Sequence, residues 1–260
     1  MAGLRLLRTF REPCLGPAVL VALVLAGPAI AAVTTAGAAE GWRELAPAAA
    51  DGTIMAPNFG AARDGVLLTW LEKQPSGDHA LRFARWRTGS DGWTVPVTVA
   101  SGNNFFANWA DFPAVAEAAD GSLVAHWLAK TGSDTYAYGI YLARSVDRGA
   151  TWKPFGLLHD DGIPAEHGFV SFVTEGQGLR AFWLDGRGTA NGGAMSLRTA
   201  PIGDHVGMTE LLDSRVCDCC QTGAAVSTRG PVVVYRDRGD DEIRDMSIVR
   251  RLDMGWSAPA

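Results

Sequence analysis

Four stretches of the chain repeat one pattern of apolar and polar positions: a glycine, a short apolar strand, and an aromatic near the strand's end. They run from Gly65 to Trp70, Gly121 to Trp127, Gly178 to Trp183 and Gly230 to Tyr235, with the aromatics 57, 56 and 52 residues apart. After each aromatic comes a second apolar strand ending in arginine: LRFAR at Arg85, IYLAR at Arg144, MSLR at Arg198 and MSIVR at Arg250. A tryptophan closes three of the units, at Trp93, Trp152 and Trp256, and a weakly apolar segment precedes each glycine (MAPNFGAA, DFPAVAEA, GFVSFVTE, TGAAVST). Self-similarity at a fixed period marks a repeat architecture. Four short strands in each unit of about fifty residues, separated by turn glycines and without a helical period, predict an all-β chain, a β-propeller of four-stranded antiparallel blades. A β-sandwich does not repeat one pattern four times at this spacing, and a parallel β-helix has shorter repeats.

The second unit adds a turn motif. Ser145, Asp147, Gly149, Thr151 and Trp152 fill the pattern S-x-D-x-G-x-T-W. Ser and Asp side chains accept from nearby backbone amides, glycine takes the left-handed conformation, and tryptophan packs between sheets. Gly89 to Trp93 and Asp253 to Trp256 are worn versions, and the third unit lacks one. On this motif and the repeat, residues 50–260 resemble the sialidase-like (BNR, Asp-box) β-propeller family. The resemblance implies six blades and a structural, non-catalytic box. Residues 39–260 are therefore expected to be a C-terminally truncated propeller, the alternative being a small four-bladed ring. The chain departs from working sialidases at Ile54 to Pro57, where the family's substrate-binding arginine is absent, while Asp185, Gly186 and Arg187 are similar to the Asp-Gly-Arg that some sialidases carry.

In a four-stranded meander, the beginnings of the first strands share a face with the loops joining second to third strands. Propeller ligands sit at the channel mouth on that face. It collects Met55 to Asn58, Asn108 to Asp111, Glu166 and His167, Cys217 to Cys220, and the loops Glu72–His79, Lys130–Tyr138, Asp185–Asn191 and Arg236–Asp245. Arg236, Arg238 and Arg244 are candidate anion-binding groups, with Arg187, Trp109, Asp111 and His167 as further ligand contacts. Asp237, Glu242 and Asp185 are the acid/base candidates, because glycosidases work with paired carboxylates. A salt-bridged, solvated hairpin is the competing account of the Arg236–Asp245 run. The expected function is binding or hydrolysis of a glycan or other anionic ligand, as a sialidase-like glycoside hydrolase; a non-catalytic glycan- or protein-binding propeller stands beside it. His126, inside an apolar strand, reads as a buried and hydrogen-bonded core histidine, and His159 as a loop residue without a pattern.

Of the four cysteines, Cys14 lies in the N-terminal segment expected to be removed on export, which leaves Cys217, Cys219 and Cys220 as an odd set of three. A disulfide is the first reading; a thiolate site for a soft metal, Cu(I) or Zn(II), with His167 as a neighbour, is the second. No other cofactor is expected.

Composition narrows the function classes. Hydrophobic residues make up 47% of the chain and can fill a core, and the net charge of −5 excludes a general nucleic-acid binder. Lysines are few (Lys73, Lys130, Lys153), so most cationic groups are planar guanidiniums suited to carboxylate or phosphate. Arg5, Arg8 and Arg11 precede an apolar run from Leu15 to Val33 and small-residue cleavage sites at Ala29 to Ala31 or Ala36 to Ala38. This is the secretory pattern, so residues 1–38 are expected to be a signal peptide. The mature protein is then expected to be periplasmic or extracellular, with no membrane segment.

Overall fold

The computed structural model describes residue 48 and residues 50–260; the signal peptide read over residues 1–38 lies outside the described residues. Each sequence repeat forms its own antiparallel sheet. The first blade contains β1 (Thr53–Ala62), β2 (Gly65–Lys73), β3 (His79–Arg87) and β4 (Val97–Gly102); the second, β5 (Ala114–Glu117), β6 (Leu123–Lys130), β7 (Tyr138–Ser145) and β8 (Lys153–Leu157). The third contains β9 (His167–Glu175), β10 (Gly178–Asp185), β11 (Ser196–Ile202) and β12 (Glu210–Asp213), and the fourth β13 (Gly223–Ser227), β14 (Gly230–Arg236) and β15 (Met246–Arg250). In every sheet the spatial order follows the chain order, the meander of a propeller blade. The fourth blade has three strands where four were expected. Residues 256–260 run beside β15 in the remaining place: Ile248 N–H donates to Ala260 O at 3.0 Å, and Ser257 N–H to Arg250 O at 2.9 Å.

The second strands read as almost unbroken apolar runs because both of their faces are covered. On β6, Leu123 and Ala125 join Leu67, Leu81 and Phe83 in a cluster between the first and second blades, while Val124 faces Leu179 and Trp183 across the next seam. On β10, Trp183 points to that seam and Phe182 to the third, where it meets Val233, Tyr235 and Val249. Alternation of side chains along a strand thus serves two cores at once.

The Ser145–Trp152 turn ties blade to blade. Ser145 Oγ accepts the Gly149 N–H at 2.8 Å, and Asp147 accepts from the Thr151 amide (2.9 Å) and hydroxyl (2.6 Å). These donors, the Thr151 hydroxyl first, hold the Asp147 carboxyl down to about 2. Gly149 sits at φ 89°, and Trp152 sets its ring edge-on to Phe83 of the preceding blade, centroids 5.5 Å apart. Trp256 repeats this relation with Phe182 at 5.6 Å.

A second repeated device shapes the inner strands. β1 and β9 each carry a bulge opposite the repeat tryptophan, Trp70 or Trp183, and each bulge holds a non-glycine residue at positive φ, Ala56 (50°) and Phe169 (56°). Bulges re-aim the backbone; in β9 the redirected N–H becomes part of the site described next. A cleft of about 350 Å³ runs between the inner strands, lined by residues of β1, β5 and β9 with Gln221 and Thr222.

Candidate functional site

The beginnings of the inner strands and the loops between second and third strands meet at one end of the blades, as the meander requires. Lys130 N–H donates to Asn104 O at 2.8 Å, Tyr138 N–H to Ala165 O at 3.2 Å, Gly186 N–H to Glu166 O at 2.7 Å, and Cys217 N–H to Arg236 O at 2.9 Å. On this end Asn108 folds a tight turn, its side-chain oxygen accepting the N–H groups of Ala110 (2.6 Å) and Asp111 (3.0 Å). The turn leaves Trp109 90% exposed, the exposed tryptophan among the described residues, and sinks Asp111 to 2% exposure.

Asp111 Oδ2 accepts the Phe169 N–H that the β9 bulge turns inward, at 2.8 Å. Its other oxygen, Oδ1, is buried without a partner. Burial pushes the carboxyl up to about 8, the Phe169 amide opposing this and the charge of Glu166 adding to it. Burial therefore favours the protonated form of Asp111. Gly168 is required beside it, since a Cβ there would overlap Asp111 Oδ2. Glu166 accepts from the Tyr138 hydroxyl at 2.6 Å, and burial raises its carboxyl as well. Tyr138 is itself buried and stacked on Phe106, centroids 3.9 Å apart.

Next to this carboxyl pair lies a balanced ionic network. The His159 and His167 rings stack at 3.8 Å, nearly parallel, and Asp161 Oδ2 lies 3.2 Å from His159 Nδ1 and 3.1 Å from His167 Nε2. Burial pushes His159 down to about 4, the neighbouring His167 adding to the effect. It is neutral, with Nε2 accepting the Ile140 N–H at 3.4 Å. Arg187 forks onto Asp185, 2.7 Å to Oδ1 and 2.9 Å to Oδ2, and reaches Asp161 at 3.1 Å. Trp183 donates to Asp185 Oδ2 at 2.8 Å, and Arg198 stands 3.6 Å from Oδ1. Burial alone would raise Asp185; the Arg187 hydrogen bonds, the His167 charge and the Trp183 N–H hold it below the usual carboxylate range. Asp185, read from sequence as an acid/base candidate, is thus a fixed anion that orients Arg187, which suits it poorly to proton donation.

The charged loop after β14 forms a second cluster. Glu242 accepts from Arg238 (2.8 and 3.0 Å), Arg215 (2.7 Å) and Arg244 (3.5 Å), and Arg238 above all holds it down to about 2. It too is a carboxylate rather than a proton donor. Asp237 pairs with Asp245 and Val216 through its backbone, and its side chain accepts the Arg238 N–H at 2.7 Å. Arg236 is exposed, and its guanidinium, like that of Arg244, lies 3.7 Å from a cysteine sulfur. The three cysteines are free thiols rather than the expected disulfide: their sulfurs stand 3.5 to 3.9 Å apart, where a disulfide needs about 2.0 Å.

Among the described residues, two groups of side chains converge closely enough to hold an ion, Cys217, Cys219 and Cys220, and His159, Asp161 and His167. In the second, Asp161 Oδ2 is already shared by both rings and Arg187. Sequence reasoning did not single out His159, Asp161, Tyr138 or Arg215, which lie in loops or at strand ends without a motif; the clustering of His and Asp between 159 and 167 was the one available signal. His126 is buried as expected but not hydrogen-bonded: both ring nitrogens lack partners, and the ring stands edge-on to Phe172 at 5.4 Å.

No family model and no curated protein matches the chain. Among solved structures, it is similar to a protein of unknown function from Dyadobacter fermentans DSM 18053, at 15% identity with a TM-score of 0.54 over 80% of this chain and 68% of that one. It is also similar to an alpha-L-arabinofuranosidase from Lactobacillus brevis, at 15% identity with a TM-score of 0.50 over 78% of this chain and 71% of that one. At this identity the likeness is one of fold, and the chain is a β-propeller of antiparallel blades.

Proposed function

We propose that the chain is an exported, sialidase-like propeller that hydrolyses a glycan at the blade end carrying Trp109, Asp111 and Glu166. The observation that carries this reading is the placement, at one end of the blades, of an exposed Trp109, an Asp111 with one unpartnered buried oxygen, and a second carboxyl, Glu166, joined to Asp111's surroundings through Tyr138 and Gly168. Glycoside hydrolysis uses a carboxylic acid to protonate the leaving oxygen and a second carboxylate to activate water or attack the sugar. In this scheme Asp111 is the acid and the partly exposed Glu166 the second carboxylate; because Asp111 is buried, a substrate reaches its Oδ1 only where the Asn108–Asp111 turn gives way. Trp109 supplies an apolar face for a sugar ring. Arg236, Arg238 and Arg244 lie on the same end and suit an anionic substituent. Asp161, Asp185 and Arg187 form the ionic network around His167, the residue that follows Glu166. The Ser145–Trp152 turn and the likeness to an arabinofuranosidase support the propeller fold in which this site is set.

The experiment is a panel of aryl glycosides, including an α-sialoside and an α-L-arabinofuranoside, assayed with the purified protein and with Asp111→Asn. Cleavage of one member, reduced roughly 100-fold or more in the variant, is the expected result. Glycan binding without cleavage of any member would leave the non-catalytic binding propeller as the function.

A further inference from the structure

The sulfurs of Cys217, Cys219 and Cys220 lie 3.5, 3.6 and 3.9 Å from one another, a nearly equilateral triangle. Three thiolates bound to one ion at about 2.3 Å with tetrahedral angles stand about 3.8 Å apart. The triangle therefore already has the dimensions of three corners of a tetrahedral thiolate site, and it is held there by groups outside the loop. On one side Cys217 N–H donates to Arg236 O at 2.9 Å and Val216 N–H to Met195 O at 2.9 Å. On the other side Gln221 donates to Val170 O at 2.8 Å and the Thr222 hydroxyl to Phe169 O at 2.7 Å.

The electrostatic setting fits the same use. Arg236 Nη1 is 3.7 Å from Cys220 Sγ and Arg244 Nη1 is 3.7 Å from Cys217 Sγ, so two guanidiniums offset the negative charge that three thiolates bring to an ion.

We propose that Cys217, Cys219 and Cys220 bind one thiophilic d¹⁰ ion, Cu(I) or Zn(II), through three thiolates with the fourth position open to solvent. The open position follows from burial: Cys217 is enclosed, Cys220 half-buried and Cys219 exposed. Soft thiolates select these ions over Mg(II) or Ca(II), and binding releases protons, so affinity falls as pH falls. The site shares Arg236 and Arg244 with the glycosidase reading but none of its carboxyls, so metal binding by the three thiolates can hold or fail without it.

The full chain is reduced, loaded separately with Zn(II) and with Cu(I), desalted, and its metal content measured; Co(II) loading provides an optical readout. The expected result is about one equivalent per chain of at least one of the two ions, with sulfur-to-cobalt charge-transfer absorption. Cys219→Ser, which alters an exposed side chain and leaves the buried Cys217 in place, should weaken binding by roughly 100-fold or more. Arg236→Ala should weaken it less. Unchanged circular dichroism of the apo variants separates ligand loss from misfolding. The proposal fails if the reduced chain keeps no more metal than a buffer blank. It fails equally if the Cys219→Ser, Cys220→Ser double variant binds as the parent does, which would place the ion at His159, Asp161 and His167. A disulfide among the three thiols that persists in mild reductant would also overturn it.

Discussion

Asp111 and Phe169 are joined across the seam between the second and third blades, the Phe169 N–H donating to Asp111 Oδ2 at 2.8 Å. The bond satisfies an amide that the bulge in β9 would otherwise leave buried, and it fixes Phe169 at a positive φ that costs of order 1–3 kcal/mol in a non-glycine residue. Asp111 is therefore part of the seam as well as of the site, and its proton makes the seam pH-sensitive.

Asp111→Asn keeps the acceptor for Phe169 and removes the titration. The folded carboxyl, at about 8, lies above its ordinary value of 3.8, so the stability it contributes is full below that value and is lost as pH rises through about 8. Between pH 5 and 7 the unfolded chain is ionised and the folded one protonated at this position. The wild type should then lose about 1.4 kcal/mol of unfolding free energy per pH unit relative to Asp111→Asn. Urea unfolding of both proteins at pH 5, 6 and 7 measures the difference; parallel stability curves would show that Asp111 is ionised throughout.

His126 works in the opposite direction. Burial lowers its pKa from 6.5 to about 3, so the stability linked to its neutral form is present above 6.5 and lost as pH falls toward 3. At pH 5 the loss amounts to about 2 kcal/mol. His126→Leu removes two unpartnered ring nitrogens and should be as stable as the parent or more so at pH 7, and more stable at pH 5 by about that amount. Thermal melts of the two proteins at both pH values give the comparison.

The Ser145–Trp152 turn makes a prediction about packing. Gly149 (φ 89°) and Gly121 (φ 86°) both occupy the left-handed region, but a Cβ at 149 would overlap the Phe83 ring while one at 121 meets nothing within 4 Å. Gly121→Ala should cost about 1 kcal/mol for backbone strain alone. Gly149→Ala adds overpacking of roughly 1–3 kcal/mol at the first seam. Equal melting temperatures for the two variants would mean that the turn does not seat on the first blade.

The blades were legible because the glycines, second-strand aromatics and arginines recur at one period, and because a strand covered on both faces must be apolar throughout, as β6 and β10 are. The end of the fourth blade was less so: residues 256–260 have no apolar alternation and are placed by backbone hydrogen bonds to Ile248 and Arg250. For the site, the meander argument located Trp109, Asp111 and His167 at one end from connectivity alone. It could not rank the carboxyls, since Asp111, Asp185 and Glu242 look alike in sequence. Their difference lies in what surrounds them: an amide and an unpartnered oxygen for Asp111, arginine pairs for Asp185 and Glu242. Tyr138 and His159 escaped because their partners, Glu166 and Asp161, are brought near by the loop path rather than by a motif.

Trp109 supplies the most direct test of ligand binding. An aromatic ring 90% exposed contributes little to folding, so Trp109→Ala should melt within about 0.5 kcal/mol of the parent. As a sugar platform, the ring should carry affinity instead: the variant is expected to bind a glycan substrate or product roughly tenfold more weakly, about 1.4 kcal/mol. Trp109→Phe should recover part of that loss because a smaller ring still offers a stacking face. Titration calorimetry with a glycan selected from the hydrolysis panel reads all three proteins. The Asn108 turn presents the ring two residues before Asp111, so the platform and the acid move together. A variant that lost affinity while Asp111→Asn kept it would separate sugar recognition at Trp109 from proton transfer at Asp111. Equal affinities for Trp109→Ala and the parent would place the ligand elsewhere.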